Sequence, residues 1–260
     1  MRVVPVPCLQ DNYAYLVIAS SGQAAVVDAS EAGPVREALR REGVELAAIW
    51  STHHHFDHVG GNDELAKAPA KGAPVEVVGH VSDRGRIPAQ TREVKTGDVV
   101  SVGDVRARCI HIPGHTLGAV AYYVEAGDER VVFTGDTLFC AGCGRLFEGT
   151  PAQMRTSLHA LLELPGDTRV LCGHEYTESN LRFAAHVEPG NAEIGRARER
   201  AAGLRGRKEP AIGTTLAEER ATNPFLRDGS AEIRDTLKIA PGADDVAAFA
   251  AIRAAKDVFR

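Results

Sequence analysis

The chain has 260 residues, 44% apolar and 25% charged, the proportions of an ordinary globular protein with room for one large domain or a domain with an appendage. A formal net charge of −5 with no basic stripe argues against nucleic acid as a bulk partner. No run approaches the roughly 18 apolar residues that a membrane span needs. Pro5, Pro7 and Asp11 break the N-terminal apolar stretch before a signal-like segment forms. Five cysteines, an odd count, favour a reducing compartment, and a cytoplasmic location is expected.

Strand-like runs are expected at 3–6, 14–19, 24–28, 46–52, 75–79, 105–112, 120–125, 130–134 and 168–172, each bounded by turn residues. Amphipathic helices are expected at 35–42 and 152–162, the second with Thr150 as N-cap ahead of Pro151. Many strands covered by a few helices imply an α/β layered sandwich. After Glu175 the composition shifts: Ala, Arg and Glu dominate 191–203 and 244–258 at helical spacing. Residues 1–190 carry 17 Lys and Arg against 24 Asp and Glu, net −7, whereas 191–260 carry 13 against 11, net +2. The expected organisation is an α/β domain over 1–175 followed by a small, slightly basic helical domain over 176–260.

The most informative stretch is Thr52-His53-His54-His55-Phe56-Asp57-His58, which follows the apolar run ending at Trp50. Imidazole and carboxylate are the usual ligands of borderline-soft divalent metals. On an extended segment, side chains two apart share a face, so His53 and His55 can grip one ion while His54 points elsewhere. A turn after His55 would swing Asp57 and His58 towards a second ion. Matching pieces follow at the ends of later apolar runs: Pro113-Gly114-His115-Thr116, Thr134-Gly135-Asp136-Thr137 and Gly173-His174-Glu175. Loops at strand ends are where sites gather. Asp28, also at a strand end, is a candidate support for the ligating imidazoles. His80, His111, His159 and His186 lack ligand partners at metal spacing and read as structural or exposed. Cys140-Ala141-Gly142-Cys143 has the spacing of a redox or zinc pair, but no second pair lies nearby, and a structural role is expected.

At these motifs the chain resembles the metallo-β-lactamase superfamily, and within it the glyoxalase II family, the hydroxyacylglutathione hydrolases. The resemblance extends from Asp11-Asn12-Tyr13 through Cys143 to Thr150 and Asn223 to Arg227, and ends at Arg253, Lys256 and Asp257, nearly the whole chain. It implies an αββα sandwich with a small C-terminal α-helical domain. It implies two divalent ions per chain, zinc favoured, with iron or manganese as alternatives: His53, His55 and His115 on the first, Asp57, His58 and His174 on the second, Asp136 bridging. Asp57 and Asp136 would thus also be the catalytic carboxylates, holding the ions that share a hydroxide. The implied reaction is hydrolysis of S-acyl glutathione thioesters, S-lactoylglutathione foremost, to glutathione and a 2-hydroxy acid, by a monomer with no nucleic-acid or membrane partner. A thiolate leaves without obligatory protonation, which suits a site with no obvious general acid. The substrate-binding positions implied are Arg145, Phe147, Tyr176, Arg253 and Lys256. Phe147 stands where the family pattern has Tyr, so one hydroxyl is missing. Alternatives are a mononuclear-iron glutathione persulfide dioxygenase or a nuclease of the same superfamily, and a non-catalytic sensor that binds metal and glutathione conjugates.

Overall fold

The computed structural model describes residues 1–67 and 74–259. The chain divides into two units by its internal contacts, one of Met1–His111 with Leu117–Gly135 and one of Ile112–Thr116 with Asp136–Arg260. This division differs from a cut at 175/176, and the reason is local packing within the second unit. Ser157 Oγ donates to Pro113 O at 2.7 Å and Thr137 Oγ1 to Ile112 O at 3.3 Å. Gly114 lies so close to Met154 that an added Cβ would meet it at 2.8 Å. The loop carrying His115 therefore packs with Thr137, Met154 and Ser157 of the second unit.

In the first unit the chain runs β1 (Arg2–Cys8), β2 (Asn12–Ile18), β3 (Gln23–Val27), α1 (Ala32–Glu42), β4 (Glu45–Trp50), α2 (Phe56–Val59), α3 (Asn62–Ala66), β5 (Glu76–His80), β6 (Arg92–Val94), β7 (Val99–Val102), β8 (Val105–His111), β9 (Val120–Ala126) and β10 (Glu129–Gly135). One sheet has the order β1-β2-β3-β4-β5-β6, antiparallel through β3 and parallel from there on. A second, antiparallel, runs β10-β9-β8-β7. Tyr15 packs on Phe133 at 5.5 Å and Trp50 stacks on Tyr122 at 5.6 Å, so these aromatics fill the layer between the sheets. The outer face of the first sheet (Ala14, Leu16, Val26, Ile49) packs with Val35 and Leu39 of α1. Covered on both faces, β2 is buried throughout, which explains its lack of polar alternation. Each large side chain in this core is worth about 1.5–3 kcal/mol of burial. α1 stops at Gly43, whose φ of 66° is the left-handed C-cap that glycine adopts without penalty.

The second unit contains the hairpin β11 (Leu138–Phe139) and β12 (Gly142–Cys143), then α4 (Pro151–Leu162), β13 (Arg169–Cys172), α5 (Thr177–Val187), α6 (Ala192–Gly206), α7 (Leu216–Thr222), a short 3-10 turn Pro224–Leu226, α8 (Ala231–Thr236) and α9 (Asp245–Val258). Thr150 caps α4 as expected, in a full capping box with Gln153. The Cys140–Cys143 spacing is that of the hairpin turn, and all five thiols are buried and unbridged. Buried Glu219 of α7 ties this turn to the helices: it accepts from Ala141 N at 2.9 Å, Thr214 Oγ1 at 2.7 Å and Asn223 Nδ2 at 2.8 Å. Asn223 also donates to Gly142 O at 3.0 Å and caps the 3-10 turn, accepting from Phe225 N at 3.1 Å. Phe225 stacks on Phe183 of α5 and packs on Phe249 of α9. Among the described residues no helix is long and apolar enough to cross a membrane.

Candidate metal centre and substrate-binding residues

In the first unit the ligand loop leaves β4 at Ser51 and turns into α2. His53 Nε2 and His55 Nδ1 face each other at 3.1 Å, as alternation on an extended segment predicts. The turn at Phe56 then places Asp57 Oδ2 3.8 Å from His58 Nε2. His54 points away and meets Asp83 Oδ1 at 3.0 Å. The support expected from Asp28 is present. Buried and at a φ of 54°, it accepts from Thr52 N and Thr52 Oγ1, each at 2.7 Å, and contacts His58 Nδ1 at 2.9 Å. A carboxylate on Nδ1 fixes the tautomer that presents Nε2 as a metal ligand. His53 Nδ1 lies 3.0 Å from Thr52 Oγ1, and Asn12 donates to Asp57 O at 3.0 Å.

Sequence reasoning gave Thr52 no role of its own and did not single out Gly60 or Gly61. The two glycines let the loop lie against the turn after β3: a Cβ on Gly60 would meet Ser30 O at 2.8 Å, and one on Gly61 would meet Ala29 O at 2.8 Å. Adjacent glycines directly after a ligand run were the available signal.

The second unit brings together His115, Asp136 and His174, all buried. Asp136 Oδ2 lies 3.5 Å from His115 Nε2 and 3.3 Å from His174 Nε2, so one carboxylate oxygen is shared between two imidazole nitrogens. His115 Nδ1 donates to Arg145 O at 2.8 Å, and His174 Nδ1 lies 3.3 Å from Tyr176 Oη. Each ring thus directs Nε2 at the same oxygen. Gly144 is obligatory here, because a Cβ would fall 1.9 Å from Asp136 O. The donor set fits a divalent metal: among the described residues, His53, His55, Asp57, His58, His115, Asp136 and His174 carry groups that could hold an ion.

The expected substrate residues all lie in the second unit, in different circumstances. Phe147 is exposed, edge-on to His115 at 5.2 Å, with the Arg145 guanidinium 4.9 Å above its ring. Tyr176 stacks on His174 at 5.0 Å, nearly parallel. Arg253 and Lys256 share a face of α9, but that face is not solvated. Arg253 is 7% exposed; its Nη1 donates to Cys143 O at 2.8 Å, its Nη2 pairs with Asp257 at 2.9 Å, and its guanidinium lies over Phe225. Lys256 Nζ donates to Ser179 O at 3.2 Å and contacts Ser179 Oγ at 3.3 Å. Burial, then the Arg253 and Arg182 charges, lower its pKa to about 8.

Two family models cover this chain: "Metallo-beta-lactamase superfamily" over residues 10–174 and "Hydroxyacylglutathione hydrolase C-terminus" over residues 175–259. The chain is 48% identical to a hydroxyacylglutathione hydrolase of Methylococcus capsulatus, over 100% of this chain and 99% of that one. It is 49% identical to one of Gloeobacter violaceus over the full length of both. Among solved structures, ETHE1 from Myxococcus xanthus superposes with a TM-score of 0.63 at 25% identity, covering 100% of each chain. A di-iron-bound form of TTHA1623 superposes at 0.59 with 28% identity, covering 87% of this chain and 100% of that one. The chain belongs to the hydroxyacylglutathione hydrolase family, metal-dependent hydrolases of the metallo-β-lactamase superfamily.

Proposed function

We propose that this protein hydrolyses S-acyl glutathione thioesters, S-lactoylglutathione foremost, releasing glutathione and a 2-hydroxy acid. The observation that carries this reading is the Asp136 oxygen shared between His115 Nε2 and His174 Nε2, the arrangement a bridging carboxylate requires. The full-length relatives named hydroxyacylglutathione hydrolase support the substrate class. In this reading His53, His55 and His115 would hold one divalent ion and Asp57, His58 and His174 a second, with Asp136 contributing to both. Zinc is the proposed metal, with iron or manganese as alternatives; the 28% identical TTHA1623 has been solved in a di-iron-bound form. The protein is proposed to act as a monomer in the cytoplasm, with 1–175 as catalytic domain and 176–260 as glutathione-binding domain.

When bound, such ions supply a nucleophilic hydroxide near neutral pH and a Lewis-acid contact for the thioester carbonyl. The chain's own residues do the positioning. Asp28 and Arg145 O hold His58 and His115 through Nδ1, and Asn12 holds the Asp57 backbone. Tyr176, Arg145 and Lys256 present donors to the glutathione moiety, and Phe147 offers an apolar wall in place of a hydroxyl. Arg253 acts from behind, fixing Cys143 O and so the strand that leads into Arg145. No general acid is needed, because a thiolate, whose conjugate acid has a pKa of about 8.5, leaves without obligatory protonation. The test is thiol release from S-lactoylglutathione by protein of measured metal content. One iron per chain with oxygen uptake on glutathione persulfide would instead favour the dioxygenase.

A further inference from the structure

Three cations of the second unit stand near one another in the chain's helical part: Arg182 on α5, and Arg253 and Lys256 on α9. Arg253 is buried with its guanidinium committed to Cys143 O and Asp257. Lys256 is half-buried and held by Ser179. Arg182 is exposed and, among the described residues, has neither hydrogen bond nor ion pair. Glu178, one helical turn before it and well placed for an i,i+4 pair, leaves it unpaired.

Arg182 lines a cleft of about 430 Å³ with Glu175, Tyr176, Glu178, Ser179 and Arg205. That volume suits a small-molecule ligand. The other guanidinium in the cleft, Arg205, is bound to Glu175 at 3.0 Å. The lining includes Tyr176, which stacks on the proposed metal ligand His174. Ser179, the residue Lys256 holds, sits one turn before Arg182 on the same face of α5. From Tyr176 to Arg182 the helix rises ~9 Å, close to the ~10 Å that a tripeptide spans when extended. The lowering of the Lys256 pKa by the Arg182 charge also puts the two cations in one electrostatic neighbourhood.

We propose that Arg182 is a specificity-determining residue of this enzyme: its uncommitted guanidinium receives a glutathione carboxylate at the far end of the Tyr176–Ser179 cleft. The assignment rests on the glutathione thioester reading above. A guanidinium with no internal partner breaks no internal bond on meeting a carboxylate, and its planar fork suits bidentate pairing.

The experiment is steady-state kinetics of the metal-loaded protein and of Arg182→Ala and Arg182→Lys, on S-lactoylglutathione and on the S-lactoyl thioester of uncharged N-acetylcysteamine. Arg182→Ala should raise KM for S-lactoylglutathione roughly 10-fold or more, the loss of a charge-assisted hydrogen bond. kcat should stay within about twofold, the mark of lost uniform binding. Arg182→Lys should restore part of the loss, inhibition by added glutathione should weaken in step with KM, and turnover of the uncharged thioester should be unchanged. If the parent hydrolyses S-lactoylglutathione but Arg182→Ala leaves its KM within twofold, or if both substrates suffer equally, the role of Arg182 is overturned while the activity stands. A parent that hydrolyses the uncharged thioester as well as S-lactoylglutathione overturns the glutathione reading and this assignment with it.

Discussion

Asp136 Oδ2 lies between two imidazole nitrogens, 3.3 Å from His174 Nε2 and 3.5 Å from His115 Nε2. Asp136→Asn keeps the shape but removes the charge that a pair of cations needs between them. Metal content should fall below two ions per chain and turnover by about 100-fold or more, read by elemental analysis alongside thiol release. Asp28 should act more gently. Asp28→Asn weakens the hold on His58 Nδ1 without touching an ion, so metal affinity should fall about 10–100-fold, checked by competition with a chelator. Lys256 gives a pH signature. With its pKa lowered to about 8 in the free enzyme, it is charged below that pH and neutral above it. Its attraction for a substrate carboxylate is therefore present below about 8 and lost above. KM for S-lactoylglutathione should climb through pH 8 to 9 while KM for the uncharged thioester stays flat. Burial lowers this pKa most, the Arg253 and Arg182 charges lower it further, and Asp257 raises it. Replacing Arg182 by Ala should move the climb to higher pH.

At the scale of elements, α7 and the β11–β12 hairpin are held together by one buried carboxyl group, that of Glu219. Glu219→Ala orphans Ala141 N, removes one of the bonds of Asn223 Nδ2 and that of Thr214 Oγ1, and should cost about 2–4 kcal/mol, measured by denaturant unfolding of the metal-loaded protein. The ligand loop and α4 were legible in the sequence because their signals are local: histidines two apart on an extended segment, a turn before Asp57, Thr150 ahead of Pro151. The helical face of Arg253 and Lys256 was legible too, but its burial was not. The partners that bury it, Cys143, Phe225, Phe183 and Ser179, lie far off in the chain, and helical spacing carries no trace of them. Helix α5 went unmarked for a similar reason. Its apolar residues pack on the Ala-rich faces of other helices, with Leu181 and Ala184 against Ile194, Ala197 and Ala201, so no strong stripe announces it.

Over the whole chain, the shift from a net charge of −7 to +2 at about residue 190 marks where metal-ligand motifs end and cationic helices begin. Composition does not reveal that the loop 112–116 packs with the later residues, because hydrogen bonds from Ser157 and Thr137 make that attachment. The proposed activity is cleavage of a glutathione thioester at a metal-bearing site built from these motifs. The measurement that bears on it most directly is thiol release from S-lactoylglutathione by protein stripped of metal and then titrated with zinc, iron or manganese. Activity should be absent in the stripped protein, return with added metal and level off at two ions per chain. Full activity without metal, or a plateau at one iron accompanied by oxygen uptake on glutathione persulfide, would contradict it.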